Sequence, residues 1–186
     1  MTGEVCNRKL KQNDGFKEQM HKVKFLLVLF GLLWLAGCTP DYNWRELTVA
    51  DDRAVVAFPA RVQTEHRTLR VDGIELVFSL TSAAVEQSVF SVGYAPLSSE
   101  LDAAQTERLV RAFATALAAR VGQPLAPQAL SGDIFEIESV VGGQAARLMG
   151  RVLIHRGVLL QVVVSGPQKS LSKEHATEFM RSLVLR

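Results

Sequence analysis

The run Val158-Leu159-Leu160-Gln161-Val162-Val163-Val164 decides the fold of this chain, because it is apolar at both odd and even positions. Successive side chains of a strand point to opposite faces, so a run of this kind is typical of a strand that is covered on both sides. Pro167 follows soon after and cannot extend the hydrogen-bonded ladder. The sequence therefore predicts a central, doubly covered strand over residues 158–165.

Two more strands precede this run and are joined to it by short turns. The turns are Gly142-Gly143 and Arg156-Gly157, and two-residue turns rich in glycine between strand-like runs predict antiparallel hairpins. The predicted strands of this half are residues 133–141, 144–155 and 158–165.

The first half of the domain shows the same pattern of strands, two of them joined by a two-residue turn. Its predicted strands are residues 54–58, 61–71, 74–80 and 88–95. Asp72-Gly73 joins the second of these to the third as another two-residue hairpin. The turns also predict the cross-strand pairs Arg70 with Glu75, Leu69 with Leu76, Glu138 with Arg147, and Ile137 with Leu148.

Two helices complete the pattern. Ser99 and Asp102 resemble a capping box at the start of the first helix, and Gly122 is a stop signal at its end. The final helix is predicted over residues 172–183. Apolar residues at helical spacing are Val110, Phe113, Ala114, Leu117 and Val121 in the first, and Ala176, Phe179, Met180 and Leu183 in the second. The order β-β-β-β-α-β-β-β-α predicts an α+β fold, an antiparallel sheet with packed helices.

Three motifs resemble those of PsbP-like domains. They are Val55-Val56-Ala57-Phe58-Pro59, Gly142-Gly143-Gln144-Ala145-Ala146-Arg147 and Glu178-Phe179-Met180-Arg181-Ser182-Leu183. The family includes the extrinsic photosystem II protein and many bacterial lipoproteins of unknown role. The resemblance implies an α/β/α sandwich over residues 51–186, and it implies no particular activity.

The N-terminal part has the features of an export signal. Residues 25–37 are 13 uncharged residues that follow the basic Lys22 and Lys24. A membrane-spanning helix needs about 20 apolar residues, so a cleaved signal is favoured over a single-pass anchor or a buried helix. Met20 is interpreted as the true start, and a long basic region before the apolar core is the alternative.

The run Leu35-Ala36-Gly37-Cys38 resembles the lipobox of bacterial lipoproteins. This resemblance implies cleavage between Gly37 and Cys38, with lipid attached to the Cys38 sulfur and a further acyl chain on its amine. Thr39 follows, where an Asp would favour the inner membrane, so the outer membrane facing the periplasm is expected. The chain then divides into a leader (residues 1–37), a lipidated N-terminus and tether (38–50), and the domain (51–186).

The charge balance argues against nucleic acid as a partner. Residues 1–37 hold six basic and three acidic residues, so the remaining 149 residues hold 15 basic and 16 acidic residues. Without the leader the net charge is thus about −1, and no basic surface of the kind that binds phosphate backbones is expected.

No catalytic, cofactor-binding or metal-binding motif occurs in the sequence. The histidines of the domain, His66, His155 and His175, lie on separate predicted elements, and no metal-ligand spacing is present. Arg147, Arg151 and His155 share one face of a predicted strand. They are either an anion-binding or partner-binding face, or a solvated face paired with acids such as Glu138.

These observations predict a non-catalytic envelope lipoprotein that binds a protein partner or assists an assembly at the membrane, with no cofactor. A small-ligand or lipid carrier is the alternative, with a pocket between the sheet and the loop of residues 123–132. A hydrolase with a clustered His, carboxylate and Ser is the third hypothesis.

Overall fold

The computed structural model describes residues 42–71, 73–98, 101–124 and 132–186. Residues 41–186 form one compact unit by themselves. The leader, the cleavage site at Gly37 and Cys38, and the central part of the loop at residues 123–132 lie outside the described residues.

The described residues form nine strands and two helices. In chain order they are β1 (Arg45–Val49), β2 (Ala54–Phe58), β3 (Gln63–Val71), β4 (Ile74–Val85), β5 (Ser88–Pro96), α1 (Ala103–Arg120), β6 (Phe135–Val141), β7 (Gln144–His155), β8 (Val158–Pro167), α2 (Lys173–Arg181) and β9 (Val184–Leu185). The predicted order is confirmed from β2 to α2, and the structure adds one strand at each end.

A six-stranded antiparallel sheet is the centre of the domain, in the order β3-β4-β5-β8-β7-β6. Its fourth strand, β8, pairs with β5 on one side and β7 on the other. All seven residues of the apolar run are buried. The predicted position of this strand, central and covered on both faces, is therefore confirmed.

The predicted hairpins have the expected geometry. The four cross-strand pairs, Arg70 with Glu75, Leu69 with Leu76, Glu138 with Arg147, and Ile137 with Leu148, are all observed. Gly142 and Gly143 have φ angles of +57° and +79°. The left-handed backbone at both turn positions matches the right-handed twist of the paired strands.

Each face of the large sheet is covered by a different set of elements. One face packs against α1, with a core that includes Leu109, Phe113 and Leu117, and is called the α1 face. The other packs against α2 and the N-terminal strands, with a core that includes Phe58 and Phe179, and is called the α2 face. All the described residues of both cores lie within residues 42–186, a length that is ordinary for a single domain.

A second, three-stranded sheet forms part of the cover of the α2 face, in the order β1-β2-β9. The expectation that residues 38–50 are a tether is therefore wrong for 45–49, which pair along their whole length with β2. Tyr42 also packs on the domain, and its hydroxyl donates to the Ser170 carbonyl at 3.2 Å. The tether interpretation failed because the alternation in β1 is limited to Leu47 and Val49, which is too short a signal, and because the pairing of β1 with β2 is tertiary.

The start of α1 also differs from the prediction. Asp102 is the N-cap, and it accepts from the backbone N–H of Gln105 at 2.7 Å while the Gln105 side chain accepts from Asp102 N–H at 2.8 Å. The capping box is thus Asp102 with Gln105, three residues beyond the one proposed at Ser99. Gly122, with φ of +66°, follows the C-terminal end as predicted.

Two glycines on the α1 face allow phenylalanine rings to lie against the sheet. A Cβ on Gly93 would lie 2.1 Å from Phe78 Cζ, and one on Gly150 would lie 2.6 Å from Phe135 Cζ. Both distances are well inside van der Waals contact. The two rings therefore take the space that a side chain at each glycine would need.

We predict that Gly93→Ala lowers the free energy of unfolding by about 1–3 kcal/mol, because the added methyl overpacks a filled site. Chemical denaturation measures this value. In a Phe78→Leu background the same substitution should cost less, since the ring that it meets is gone. Equal costs in both backgrounds would show that the clash with Phe78 is not the cause.

Candidate functional site

Arg147, Arg151 and His155 follow one another at every fourth position of β7, on its α2 face. Met149 and Leu153, which alternate with them, belong to the hydrophobic core of that face. The three polar side chains therefore lie along the border of a core, where each needs a hydrogen-bonding partner.

Arg147 is fully engaged within the protein. Its Nε is 2.9 Å from Glu136 Oε1 and its Nη2 is 2.8 Å from Glu138 Oε1. Its Nη1 donates to the Leu171 carbonyl at 3.1 Å. Lys173 adds a further pair, with Nζ 2.7 Å from Glu136 Oε2. This network, called the Arg147 network, ties β6 and β7 to the start of α2.

The Arg147 network shifts the pKa values of Glu136 and Arg147. Burial raises the pKa of the Glu136 carboxyl, but hydrogen bonds and charges from Lys173 and Arg147 outweigh burial, and the net pKa is lowered. Burial lowers the pKa of the Arg147 guanidinium, whereas hydrogen bonds and charges from Glu138 and Glu136 raise it, and the net pKa is raised. Both shifts favour the charged forms, so Glu136 and Arg147 are ionised at neutral pH.

The other two polar side chains on this face of β7 bind main-chain carbonyls. Arg151 Nε donates to the Gly132 carbonyl at 2.6 Å. His155 Nε2 is 2.8 Å from the Arg186 carbonyl. They thus hold the end of a loop and the C-terminus, and a role of these side chains in anion or partner binding stays a prediction.

The remaining histidines also contact neighbouring side chains. His66 Nδ1 is 2.7 Å from Ser79 Oγ across the β3–β4 pair. His175 stacks on Tyr42 with ring centroids 3.7 Å apart. A hydrolytic triad would need a carboxylate that orients the histidine, and within the described residues no carboxylate forms an ion pair or hydrogen bond with His66.

A half-open groove lies beside α1 on the α1 face of the sheet. Its volume is about 340 Å³. One flank of α1 forms the wall, β3, β4 and β5 form the floor, and β8 closes one side. The space exists because α1 packs chiefly over β7, while β3 at the other end of the face stays exposed or half-buried. We call this cavity the α1 groove.

The side chains of the α1 groove combine an apolar floor with few polar groups. Leu69, Phe78 and Leu80 line the floor, and Gln161 lies among them with 8% of its surface exposed. Within the described residues the Gln161 amide forms no hydrogen bond. Among the described residues, Ser139 Oγ is the fully buried side-chain atom without a partner, so the Gln161 amide is open to the groove.

The charged residues around the α1 groove are all arginines. Arg67, Arg70 and Arg120 line it, and no acidic side chain does so among the described residues. Arg67 and Arg70 each approach a glutamate, at 3.7 and 3.5 Å. Arg120 forms no ion pair with any described residue.

A second, smaller cavity of about 250 Å³ lies near the end of α1, between Val121 and the ends of β7 and β8. It is close to the region where a carrier pocket was expected, beside the loop of residues 123–132. Residues 125–131 of that loop lie outside the described residues, so the predicted pocket is not tested. Arg120 lines both cavities.

Metal-binding clusters and membrane-spanning helices are two further features that bear on function. In the part of the chain that the structure describes, no group of three or more His, Cys, Asp and Glu side chains is arranged to hold a metal ion. Neither of the two described helices has the length and apolar character to cross a bilayer.

Comparisons with known proteins give one structural likeness. It is the solution structure of a cyanobacterial PsbP protein (CyanoP) from Synechocystis sp. PCC 6803, with 12% identity and a TM-score of 0.42. The match covers 81% of this chain and 97% of that one. No protein-family model and no curated protein matches the chain. The fold described above rests on the observed topology, and this likeness adds nothing about function.

Sequence reasoning did not find the α1 groove. One signal was present, since Gln161 is the single polar residue in the run 158–164. Arg120 is a basic residue in the last turn of α1, where the helix dipole favours a cation, so its position in the sequence does not distinguish it. Gln161 and Arg120 line the same groove because of where α1 lies on the sheet, and no local sequence pattern encodes that position.

We predict that Arg147→Met lowers the free energy of unfolding by about 1–3 kcal/mol, because it removes the guanidinium that donates to Glu136, Glu138 and the Leu171 carbonyl and leaves Glu136 with Lys173 alone. Thermal or chemical denaturation measures the loss. Arg111→Met is the matched control, since Arg111 pairs with Glu107 while 53% and 68% of their side chains are exposed. That control should change stability by less than about 0.5 kcal/mol. Equal effects of the two substitutions would contradict a structural role of the Arg147 network.

The Arg147 network also predicts a dependence on acid. The pKa of Glu136 is lowered in the folded protein, so its contribution is complete above the ordinary value of 4.5 and is lost as the pH falls through the lowered value. Stability should therefore decline below about pH 4.5 in the parent, and more shallowly in Arg147→Met. Denaturation midpoints measured between pH 3 and pH 7, at roughly unit intervals, test this slope. Parallel profiles for the two proteins would contradict the assignment.

Proposed function

We propose that this protein is a non-catalytic accessory module of the bacterial cell envelope, anchored by lipid on Cys38, whose domain binds another molecule. The observation that carries the binding role is the α1 groove, an apolar cavity with a buried amide and a rim of arginines. Binding sites of this form are concave and mostly apolar, with a few polar groups that orient the ligand.

The lipobox-like run Leu35-Ala36-Gly37-Cys38 supports the anchor. Tyr42 is already packed on the domain, so the four peptide steps from Cys38 span at most ~14 Å. Lipid on Cys38 would therefore hold the domain close to the membrane surface. Tyr42 packs on the α2 face, which would leave the α1 groove on the opposite side of the sheet. The outer membrane facing the periplasm remains the proposed location, from Thr39.

The non-catalytic assignment is supported by what the reactive side chains do. Arg147, Arg151 and His155 each bond to a neighbouring element, and His175 stacks on an aromatic ring. Catalytic groups are typically found in a cleft, where a substrate can reach them. These side chains act as structural links instead.

A protein partner is the first candidate for the bound molecule. In the six-stranded sheet of the described residues, β3 and β6 each have one edge without a neighbouring strand. Such edges accept an added strand from another protein. Val140, on β6, is 72% exposed and would be covered by such an addition.

A small ligand or lipid is the second candidate, and the α1 groove is the observation that favours it. Its volume of about 340 Å³ suits a small molecule. A protein that holds such a ligand next to a membrane would act as a carrier in the envelope.

We predict that Cys38→Ser abolishes both signal cleavage and lipid labelling, because serine has no thiol to accept the lipid. Metabolic labelling with a radioactive fatty acid and the size of the product on a gel measure the two effects. Cys6→Ser is the matched control and should leave both unchanged, since Cys6 lies upstream of the proposed signal. Normal processing of Cys38→Ser would overturn the anchor.

The partner itself is tested by crosslinking in living cells, followed by mass spectrometry of the recovered proteins. One dominant envelope protein that is lost in the Cys38→Ser control would support the accessory role. Absence of any specific protein in repeated experiments would overturn the protein-partner candidate and leave the carrier candidate.

A further inference from the structure

We propose that the α1 groove binds a single-chain amphiphile with an anionic head group, a carboxylate or a phosphate. The inference rests on the second candidate of the proposed function, and it names the ligand class that the groove would take. It does not depend on the lipid anchor, because every residue that carries it lies in the described domain.

The shape of the groove suits an apolar chain. Ala112 and Ala116, one helical turn apart on α1, form its wall, and their small side chains leave the space above the sheet open. The Phe78 ring lies over Gly93 and so forms part of the floor. Sheet neighbours are about 4.8 Å apart, so a groove from β3 to β8 is roughly 14 Å long. That length accommodates an extended alkyl chain of moderate size.

The polar group in the floor points to a ligand with hydrogen-bonding atoms. Gln161 is nine-tenths buried and lines the groove, and its amide has no partner among the described residues. Gly93 stands directly opposite it on β5, and Val152 opposite it on β7. Neither neighbour offers a side chain that could bond to it, so a head-group oxygen could accept from the amide N–H without displacing an internal bond.

The charged side chains around the groove indicate that the ligand is negatively charged. Among the described residues, three arginines and no acidic side chain line it. Arg67 and Arg70 already approach Glu65 and Glu75, whereas Arg120 has no ion pair among the described residues. An arginine fork binds carboxylate and phosphate oxygens in pairs. We therefore place the head group near Arg120 and Gln161, with the chain directed over Leu69 and Leu80.

Calorimetric titration of residues 41–186, the unit that contains both cores, tests the inference. The probes are decanoate and decyl phosphate below their micelle concentrations, with decanol and inorganic phosphate as comparisons. We expect both anionic amphiphiles to bind and inorganic phosphate not to bind. A stronger signal from decanoate would indicate a free fatty acid, and one from decyl phosphate a phospholipid-like ligand; both outcomes support the inference.

Matched variants show whether binding takes place in the groove. Ala116→Trp should fill it and weaken binding at least tenfold. Ala119→Trp is the control, on the same helix and equally exposed, but outside the groove, and it should bind as the parent does. Equal affinities of the two variants would overturn the inference.

The head-group assignment has its own variants. Arg120→Gln should weaken the binding of decanoate about tenfold and leave the binding of decanol unchanged. Arg111→Gln on the same helix should change the affinity for neither probe. Gln161→Leu should weaken binding of the anionic probes and leave the midpoint of thermal unfolding unchanged or raised, since the amide that it removes forms no hydrogen bond with the described residues. A lower midpoint would show that Gln161 serves the fold and would overturn its part in binding.

Two results would separate failure of this inference from failure of the proposed function. Absence of binding by every amphiphile overturns the inference alone if crosslinking still recovers a specific envelope protein. Loss of that crosslink in Ala116→Trp, with retention in Ala119→Trp, would assign the groove to a protein segment. Absence of both a ligand and a partner would overturn the binding role itself.

Discussion

Burial of β8 on both faces is the constraint on which the rest of the structure depends. Its side chains at 158, 160, 162 and 164 belong to the core of the α2 face, and those at 159 and 163 to the core of the α1 face. Neither set can be exposed to water without losing the largest hydrophobic contribution to stability. The strand therefore needs β5 and β7 at its edges and a cover above and below. The two covers are unequal, because α2 shares its side with the sheet β1-β2-β9 whereas α1 has no described companion.

The unequal covers explain the α1 groove. Six strands at about 4.8 Å spacing make a sheet roughly 24 Å wide, and a helix with its side chains is about 10–12 Å across. One helix over β7 thus cannot reach β3, and the alanines on its open flank widen the gap. The result is an apolar channel with the Gln161 amide inside it and Arg120 at its edge. Because α1 is too narrow to cover the whole face, this surface stays accessible and is available for binding.

The charged side chains of β7 serve a different purpose. Arg147 bonds to Glu136, Glu138 and the Leu171 carbonyl, and so joins the outer strand β6 to the segment before α2. Arg151 and His155 hold backbone carbonyls at Gly132 and Arg186. In a sequence, a stripe of arginines and a histidine resembles a site for an anion. In the fold these side chains satisfy internal acceptors. Arg120, which lies on a helix, forms no ion pair with any described residue.

The sequence by itself determined the order of nearly all elements and the central place of β8. It also determined the pairing registers of the hairpins β3–β4 and β6–β7. These follow from local physics: side-chain alternation, the left-handed turns at Gly142-Gly143 and Arg156-Gly157, and apolar spacing on the helices. The strand β1, the start of α1 at Asp102 and the whole α1 groove were decided only by tertiary structure. β1 pairs with a strand that is itself held by β9, from the other end of the chain. The groove depends on the distance between α1 and β3, and such long-range relations leave no periodic trace in the residues that form them.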